Sequence, residues 1–240
     1  MSAAPPPSPR VDRPVMYHRW SHITFVHWRY PAELIQATLP PGLKVDAFDG
    51  TAWVSLTPFL LEGLRPPGIP ALPWLSRFPE TNVRTYVRDE RGRAGIWFYS
   101  LDAGRLPAVL GARLTYGLPY FWSDMAVRVD GARRRYRCRR HRPLQPGGHC
   151  DAVVETGPPL DAPDEAAIFL TARYRLFTLF AGTLASAEVE HPPWPLREVR
   201  LERLDQNLVR AAGLPAPDHP PLLHASPGVP VAVGMWHPVR

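Results

Sequence analysis

The chain has 240 residues, 45% hydrophobic and 21% charged, a balance that excludes a wholly disordered, collagenous or coiled-coil protein. Its 31 prolines and 17 glycines argue against long helices, and its two cysteines, Cys138 and Cys150, exclude a disulfide scaffold or a four-cysteine zinc site. The net charge of +6 is local: residues 128–142 hold eight arginines against Asp130, or +7, and the rest of the chain sums to −1.

Residues 1–13 are proline-rich and lack the apolar run of a signal peptide, so a disordered arm, one domain over 14–240 and a cytoplasmic location are expected. The β-branched and aromatic run 22–28 predicts a strand, and Pro31 opens a short helix that Pro40-Pro41-Gly42 stops. Residues 52–60 predict a strand and 64–79 a proline-studded loop. Strands are expected over 82–87 and 95–101, joined by the charged turn 88–93. Residues 107–116 form a short helix that Gly117 can cap. Asp130-Gly131 predicts a hairpin between 125–129 and 132–140, followed by a short strand over 153–156. Acids at the start and apolar residues spaced along 164–180 predict the longest helix. Residues 188–199 are extended, 204–212 a short helix and 229–236 a last strand. Many strands with a few short helices make a β-rich α+β fold, with a barrel as its natural closure.

The segment Glu80 to Val87 carries the chemistry. In a strand, Glu80, Asn82, Arg84 and Tyr86 share one face, while Thr81, Val83, Thr85 and Val87 take the other. A polar face of this kind either meets solvent or walls a ligand cavity. In a cavity, Arg84 would bind a carboxylate through two parallel hydrogen bonds, and Glu80 would serve as acid or base once burial raised its pKa.

Other readings carry less. A strand through 22–28 sets His22 and His27 on opposite faces and His18 about 13 Å from His22, so no metal site is expected. No nucleotide-binding or nucleophile-elbow motif is present. The arginine run alternates Arg133, Arg135, Arg137 and Arg139 with Arg134, Tyr136, Cys138 and Arg140. It reads as a charged edge strand on a surface hairpin. Its one interleaved aromatic, Tyr136, makes it a thin nucleic-acid ribbon, and nucleic acid is not the expected partner.

The blocks LPPGLKVDAFDG (39–50), NVRTYV (82–87), GIWFYSLDA (95–103), ARLTYGLPYFW (112–122) and HPPWPL (191–196) resemble the YqjF-like family of uncharacterised bacterial proteins, over about 16–238. The order Asp102, Arg113, Gly117, Pro119 is similar to that of the wider acetoacetate-decarboxylase-like superfamily. That resemblance implies a β-barrel core with a few short flanking helices around a buried cavity. It also implies that Asp102 and Arg113 belong to the ligand-binding set with Asn82, Arg84 and Tyr86. The decarboxylases carry Gly-x-Pro-Lys-Lys, the first lysine forming a Schiff base. Here Tyr120 and Phe121 follow Pro119, and the only lysine, Lys44, falls in a surface turn. Imine chemistry is therefore not expected.

The resulting expectation is a pocket protein, of lyase or hydrolase type, for a small oxo- or hydroxy-carboxylate. Arg84 would hold the carboxylate, Glu80 would act as acid or base, and Tyr120 would polarise a carbonyl, without cofactor or metal. A non-catalytic ligand-binding or sensory domain is the alternative, and nucleic-acid binding through 128–142 a further one. No membrane association is expected, and homo-oligomerisation is left open.

Overall fold

The structure, a computed structural model, describes residues 6–141 and 147–239. The strands are β1 (Pro14–Tyr30), β2 (Leu43–Val45), β3 (Ala52–Arg65), β4 (Phe78–Asp89), β5 (Ala94–Ala103), β6 (Tyr120–Asp130), β7 (Arg133–Arg140), β8 (His149–Pro159), β9 (Arg175–Phe180), β10 (Thr183–Glu190), β11 (Arg197–Gln206), β12 (Leu222–Gly234) and β13 (His237–Pro238). The helices are α1 (Ala32–Gln36), α2 (Leu106–Tyr116), α3 (Glu165–Thr171) and α4 (Leu208–Ala211).

Nine strands close a barrel in the order β5-β6-β7-β8-β11-β12-β1-β3-β4, with β4 returning to β5. A smaller ring of seven shares β12, β1, β3, β4 and β5 and closes instead through β9 and β10. The shared strands therefore have an interior on each side. This explains why β3 is buried without interruption from Ala52 to Leu61 instead of alternating with solvent. One core, around Phe25, Phe59, Leu101 and Trp194, lies in the smaller ring. The other, around Trp28, Leu56, Val83 and Tyr136, lies in the larger. Each large apolar side chain taken fully out of water there contributes about 1.5–3 kcal/mol.

β1 runs antiparallel to β12 from Pro14↔Gly234 to His27↔Leu222, and to β3 from Tyr17↔Arg65 to Tyr30↔Ala52. A bulge between Ser21 and Val26 interrupts the second pairing, at the point where His22 has a positive φ of 51°. Gly228, paired with Ser21, has φ +120°, and a Cβ there would meet the Trp20 carbonyl oxygen at 2.0 Å. Only glycine fits that approach.

Several expectations need correction. The helix foreseen over 164–180 stops at Thr171, and Arg175–Phe180 is β9, parallel to β5 through Ile96↔Leu176 and Trp97↔Phe177. Its apolar spacing suits a buried strand as well as a helix, and the sheet partners decide. The chain can approach β5 this closely because Gly95 has no side chain: a Cβ there would lie 2.6 Å from the Phe177 ring. The helix foreseen over 204–212 shrinks to α4, since β11 continues to Gln206 against β8.

The arginine run is neither an edge strand nor a surface hairpin. β7 is paired on both sides, with β6 and β8. Its alternation is as read, but Arg134, Tyr136, Cys138 and Arg140 are buried. Arg134 spans the bulge, donating from Nη1 to the carbonyls of Ile23 and Ser226. On the outer face, Arg133 pairs with Glu202 and Arg135 with Asp151. Arg142 lies outside the described residues.

Of the arm expected over 1–13, residues 1–5 lie outside the described residues. Farther along it, the Val11 amide donates to Glu190 Oε2, and Ser8 Oγ accepts from the His191 amide. No helix among the described residues is long and apolar enough to cross a membrane.

Candidate active site

All seven strands of the smaller ring face a cavity of about 600 Å³, which α2 and the 66–77 loop also line. Apolar side chains make up most of its wall, among them Trp20, Phe59, Leu61, Phe98 and Trp194. β4 contributes Phe78, Glu80, Asn82 and Arg84 at the strand period of two, while Val83 packs into the other core. The polar face of 80–84 thus points inward, and all three polar side chains are buried.

Tyr120 faces Glu80, and its hydroxyl donates to Glu80 Oε2 at 3.1 Å. The local sequence explains this placement. α2 ends at Gly117 in the left-handed conformation, φ 63°. The chain then reverses through Leu118-Pro119, and β6 begins at Tyr120 in parallel register with Leu101. Arg113 fixes the turn, its Nε donating to the Tyr120 carbonyl at 2.7 Å.

Burial pushes the Glu80 carboxyl up to about 7, with hydrogen bonds from Tyr120 and Asn82 opposing the shift. Burial, with the adjoining Glu80, holds the Tyr120 phenol well above its ordinary range. At neutral pH the pair therefore offers a carboxyl poised between its two protonation states and a phenol that keeps its proton.

Arg84, 7% exposed, is a cation in an apolar place. Its Nε and Nη2 have no hydrogen-bond partner among the described residues, and neither has Asn82 Oδ1. The guanidinium lies over the Phe25 ring, 5.5 Å from its centroid. Burial lowers its pKa, with the neighbouring Tyr86 opposing the shift. A guanidinium normally stays charged even so, and its open donors match a carboxylate.

Three residues expected in the ligand set stand elsewhere. Tyr86 lies off the cavity wall, its hydroxyl held by Ser55 Oγ at 2.6 Å and by the Leu170 carbonyl at 2.8 Å. Asp102 points to the opposite face from Leu101. Both of its oxygens accept from Arg140, at 2.7 and 2.9 Å, and Ser123 donates to it as well. Arg113 is outside the cavity and acts on the Tyr120 backbone instead. In each case the strand or helix was read correctly, and an unforeseen partner from a distant element claims the side chain.

Sequence reasoning did not place several polar residues on the wall, among them His18, His191 and Arg173. Neither ring nitrogen of His18 has a partner among the described residues, and burial lowers its pKa to about 3. His191 Nδ1 meets the Pro192 carbonyl at 2.8 Å. Arg173 Nη1 pairs with Asp46, so that cation is already satisfied. The signal available was the HPPWPL block, whose His191 and Trp194 both reach the wall. Lys44 is an exposed residue of β2, apart from the cavity.

Comparison with known proteins now places the chain. Residues 17–230 match the family model DUF2071, described as an uncharacterized conserved protein. The chain belongs to that family. One DUF2071 relative is the uncharacterized protein YqjF of Bacillus subtilis (strain 168), 35% identical over 210 residues, or 88% of this chain and 86% of YqjF. Among solved structures, the acetoacetate decarboxylase of Legionella pneumophila matches with a TM-score of 0.69 at 14% identity, covering 98% of this chain and 92% of that one. An acetoacetate-decarboxylase-like enzyme from Sphingomonas wittichii RW1 matches with a TM-score of 0.66 at 16% identity, covering 94% and 93%. The enduracididine biosynthesis enzyme MppR, solved with HEPES bound, also scores 0.66 at 16%, covering 100% and 98%. The DUF2071 chain therefore has the acetoacetate-decarboxylase-like fold, as its sequence blocks implied.

Proposed function

We propose that this protein binds an oxo- or hydroxy-carboxylate in the smaller ring and performs acid–base chemistry on it without a covalent imine. The observation that carries this reading is the buried Arg84 guanidinium, whose Nε and Nη2 have no hydrogen-bond partner among the described residues, on the same strand face as Glu80, which Tyr120 meets. Arg84 would neutralise the carboxylate. Glu80, ionised, would take a proton from carbon or water and return it later. Tyr120, swinging its hydroxyl from Glu80 to a substrate carbonyl, would stabilise the oxyanion that develops. Enolisation, dehydration and non-covalent hydrolysis all fit this set. Structural neighbours that include enzymes support the reading, as does the shift of Glu80, which a purely storage-type pocket does not need.

The test is calorimetric titration of wild type, Arg84→Ala and Glu80→Gln with oxo- and hydroxy-carboxylates in which the number of carbons between the two groups is varied, joined to NMR of solvent deuterium entry at the carbon next to the carbonyl. Arg84→Ala should lower affinity by roughly 30-fold or more, as loss of one partner of a buried charge pair does. Glu80→Gln should keep binding and abolish exchange. Binding indifferent to Arg84 would overturn the proposal, and binding without exchange in wild type would leave the ligand-binding reading.

A further inference from the structure

The cavity is larger than a small acid needs, and its polarity is graded. At about 30 Å³ per water-sized group, 600 Å³ takes on the order of 20 such groups, of which a four-carbon oxo acid fills about a third. The β3–β4 register orders the wall. Arg84 pairs with Ser55, Asn82 with Thr57, Glu80 with Phe59 and Phe78 with Leu61. Beyond that last pair stands the 66–77 loop, which presents Ile69 and Leu72 to the cavity. From Arg84 to Phe78 the strand rises about 20 Å.

Along that path the wall turns from polar to mostly apolar. The guanidinium stands at the inner end and the Glu80–Tyr120 pair about 13 Å along the strand; beyond it Phe59, Leu61 and Phe78 dominate, with Arg65 and Ser76 as polar groups beside the loop. Ile69 and Leu72, both on the wall, are 54% and 56% exposed at the rim.

Resting on the proposed carboxylate reading, we infer that the ligand is an amphiphile. Its carboxylate enters first to meet Arg84, its carbonyl or hydroxyl, several carbons farther along the chain, stands at Glu80 and Tyr120, and an alkyl or aryl tail runs past Phe59, Leu61 and Phe78 to the rim. The site thus measures chain length. The tail excludes water from the inner end, where the guanidinium gains most from its partner.

The experiment is titration of the full chain with n-alkyl monocarboxylates from four to fourteen carbons, kept below micelle formation, and with n-alkyl alcohols of equal length. Leu72→Asp places a charge on the exposed rim without touching the core. Arg84→Ala tests the inner end, and thermal melts confirm that each variant is folded. Affinity of wild type for the acids should rise about threefold to fourfold per methylene, then level off when the tail passes the rim. Leu72→Asp should weaken binding of the long acids at least tenfold and leave the shortest acids unchanged. Arg84→Ala should weaken all acids and no alcohol.

Short acids that bind through Arg84 with no gain from added methylenes would overturn the tail and leave the carboxylate reading standing. Tails that bind equally as acids and alcohols, indifferent to Arg84, would overturn the carboxylate reading and with it this orientation. Affinity that climbs without levelling and ignores Leu72→Asp would mark adsorption outside the cavity and also refute the inference.

Discussion

Asp102 and Arg140 meet as a closed pair, both side chains fully out of water, with Nε to Oδ1 at 2.7 Å and Nη2 to Oδ2 at 2.9 Å. The pair ties β5 to β7 across the larger barrel, and the Phe121 ring lies 3.8 Å from the guanidinium carbon. Arg140, the last arginine of β7, is therefore a structural residue that ties β7 to β5, a strand that lines the cavity through Ile96, Phe98 and Leu101. Removing either partner leaves the other charge buried and alone. Arg140→Met or Asp102→Asn should each cost about 3–5 kcal/mol of stability by urea unfolding, and the double change to Met and Leu should recover most of it. A loss below about 1 kcal/mol in both single variants would show that the pair is not holding the strands.

Glu80 should make stability fall as pH rises. Its folded pKa of about 7 stands above the ordinary 4.5, so the folded chain keeps a proton that the unfolded chain releases between those values. That contribution is whole below pH 4.5 and is lost as pH climbs through 7. Glu80→Gln cannot release the proton, so it should match wild type near pH 4 and exceed it at pH 8 by on the order of 3 kcal/mol. Melts at the two pH values decide it: an offset that does not change with pH means the carboxyl is not strained by burial.

Borohydride reduction in the presence of acetoacetate or pyruvate, followed by intact mass, should yield no adduct. Tyr120 on the cavity wall is a phenol, and Lys44, the only lysine in the sequence, is exposed and apart from that wall. An adduct on Lys44 would restore imine chemistry to this chain.

Changing Arg133, Arg135 and Arg137 to Ser together should leave carboxylate affinity intact. All three face outward on β7, and the ion pairs of the first two with Glu202 and Asp151 are exposed. Such pairs are worth about 0–1 kcal/mol each. Equal loss of ligand affinity in this variant would mean that the outer face of β7 communicates with the cavity.

What could be read from the sequence follows from what is local. The period of two over 80–84 depends only on the strand itself, and it placed Glu80, Asn82 and Arg84 on one wall. The Asp130-Gly131 turn and the Gly117 cap are likewise fixed by neighbouring residues. Tyr86 shows the limit: it continues the same alternation, yet Ser55 and the Leu170 carbonyl take its hydroxyl, and neither is near it in sequence. Asp102 could be read as a turn cap because nothing close to it in sequence announces Arg140. The 175–180 segment has apolar residues compatible with either helix or strand, and its state is settled by β5 and β10 beside it. Burial of Arg134 and Arg140 required knowing that β7 has neighbours on both edges.

The pairing of β1 with β12 also governs when this chain can fold. β1 lies beside β12, which is made about 200 residues later, and both rings close only through them. At roughly 5–20 residues per second, the interval between the two is on the order of tens of seconds. Through that time β1 offers an unpaired backbone edge and half-made cores to its surroundings. Neither ring can close until residues 222–234 have left the exit tunnel.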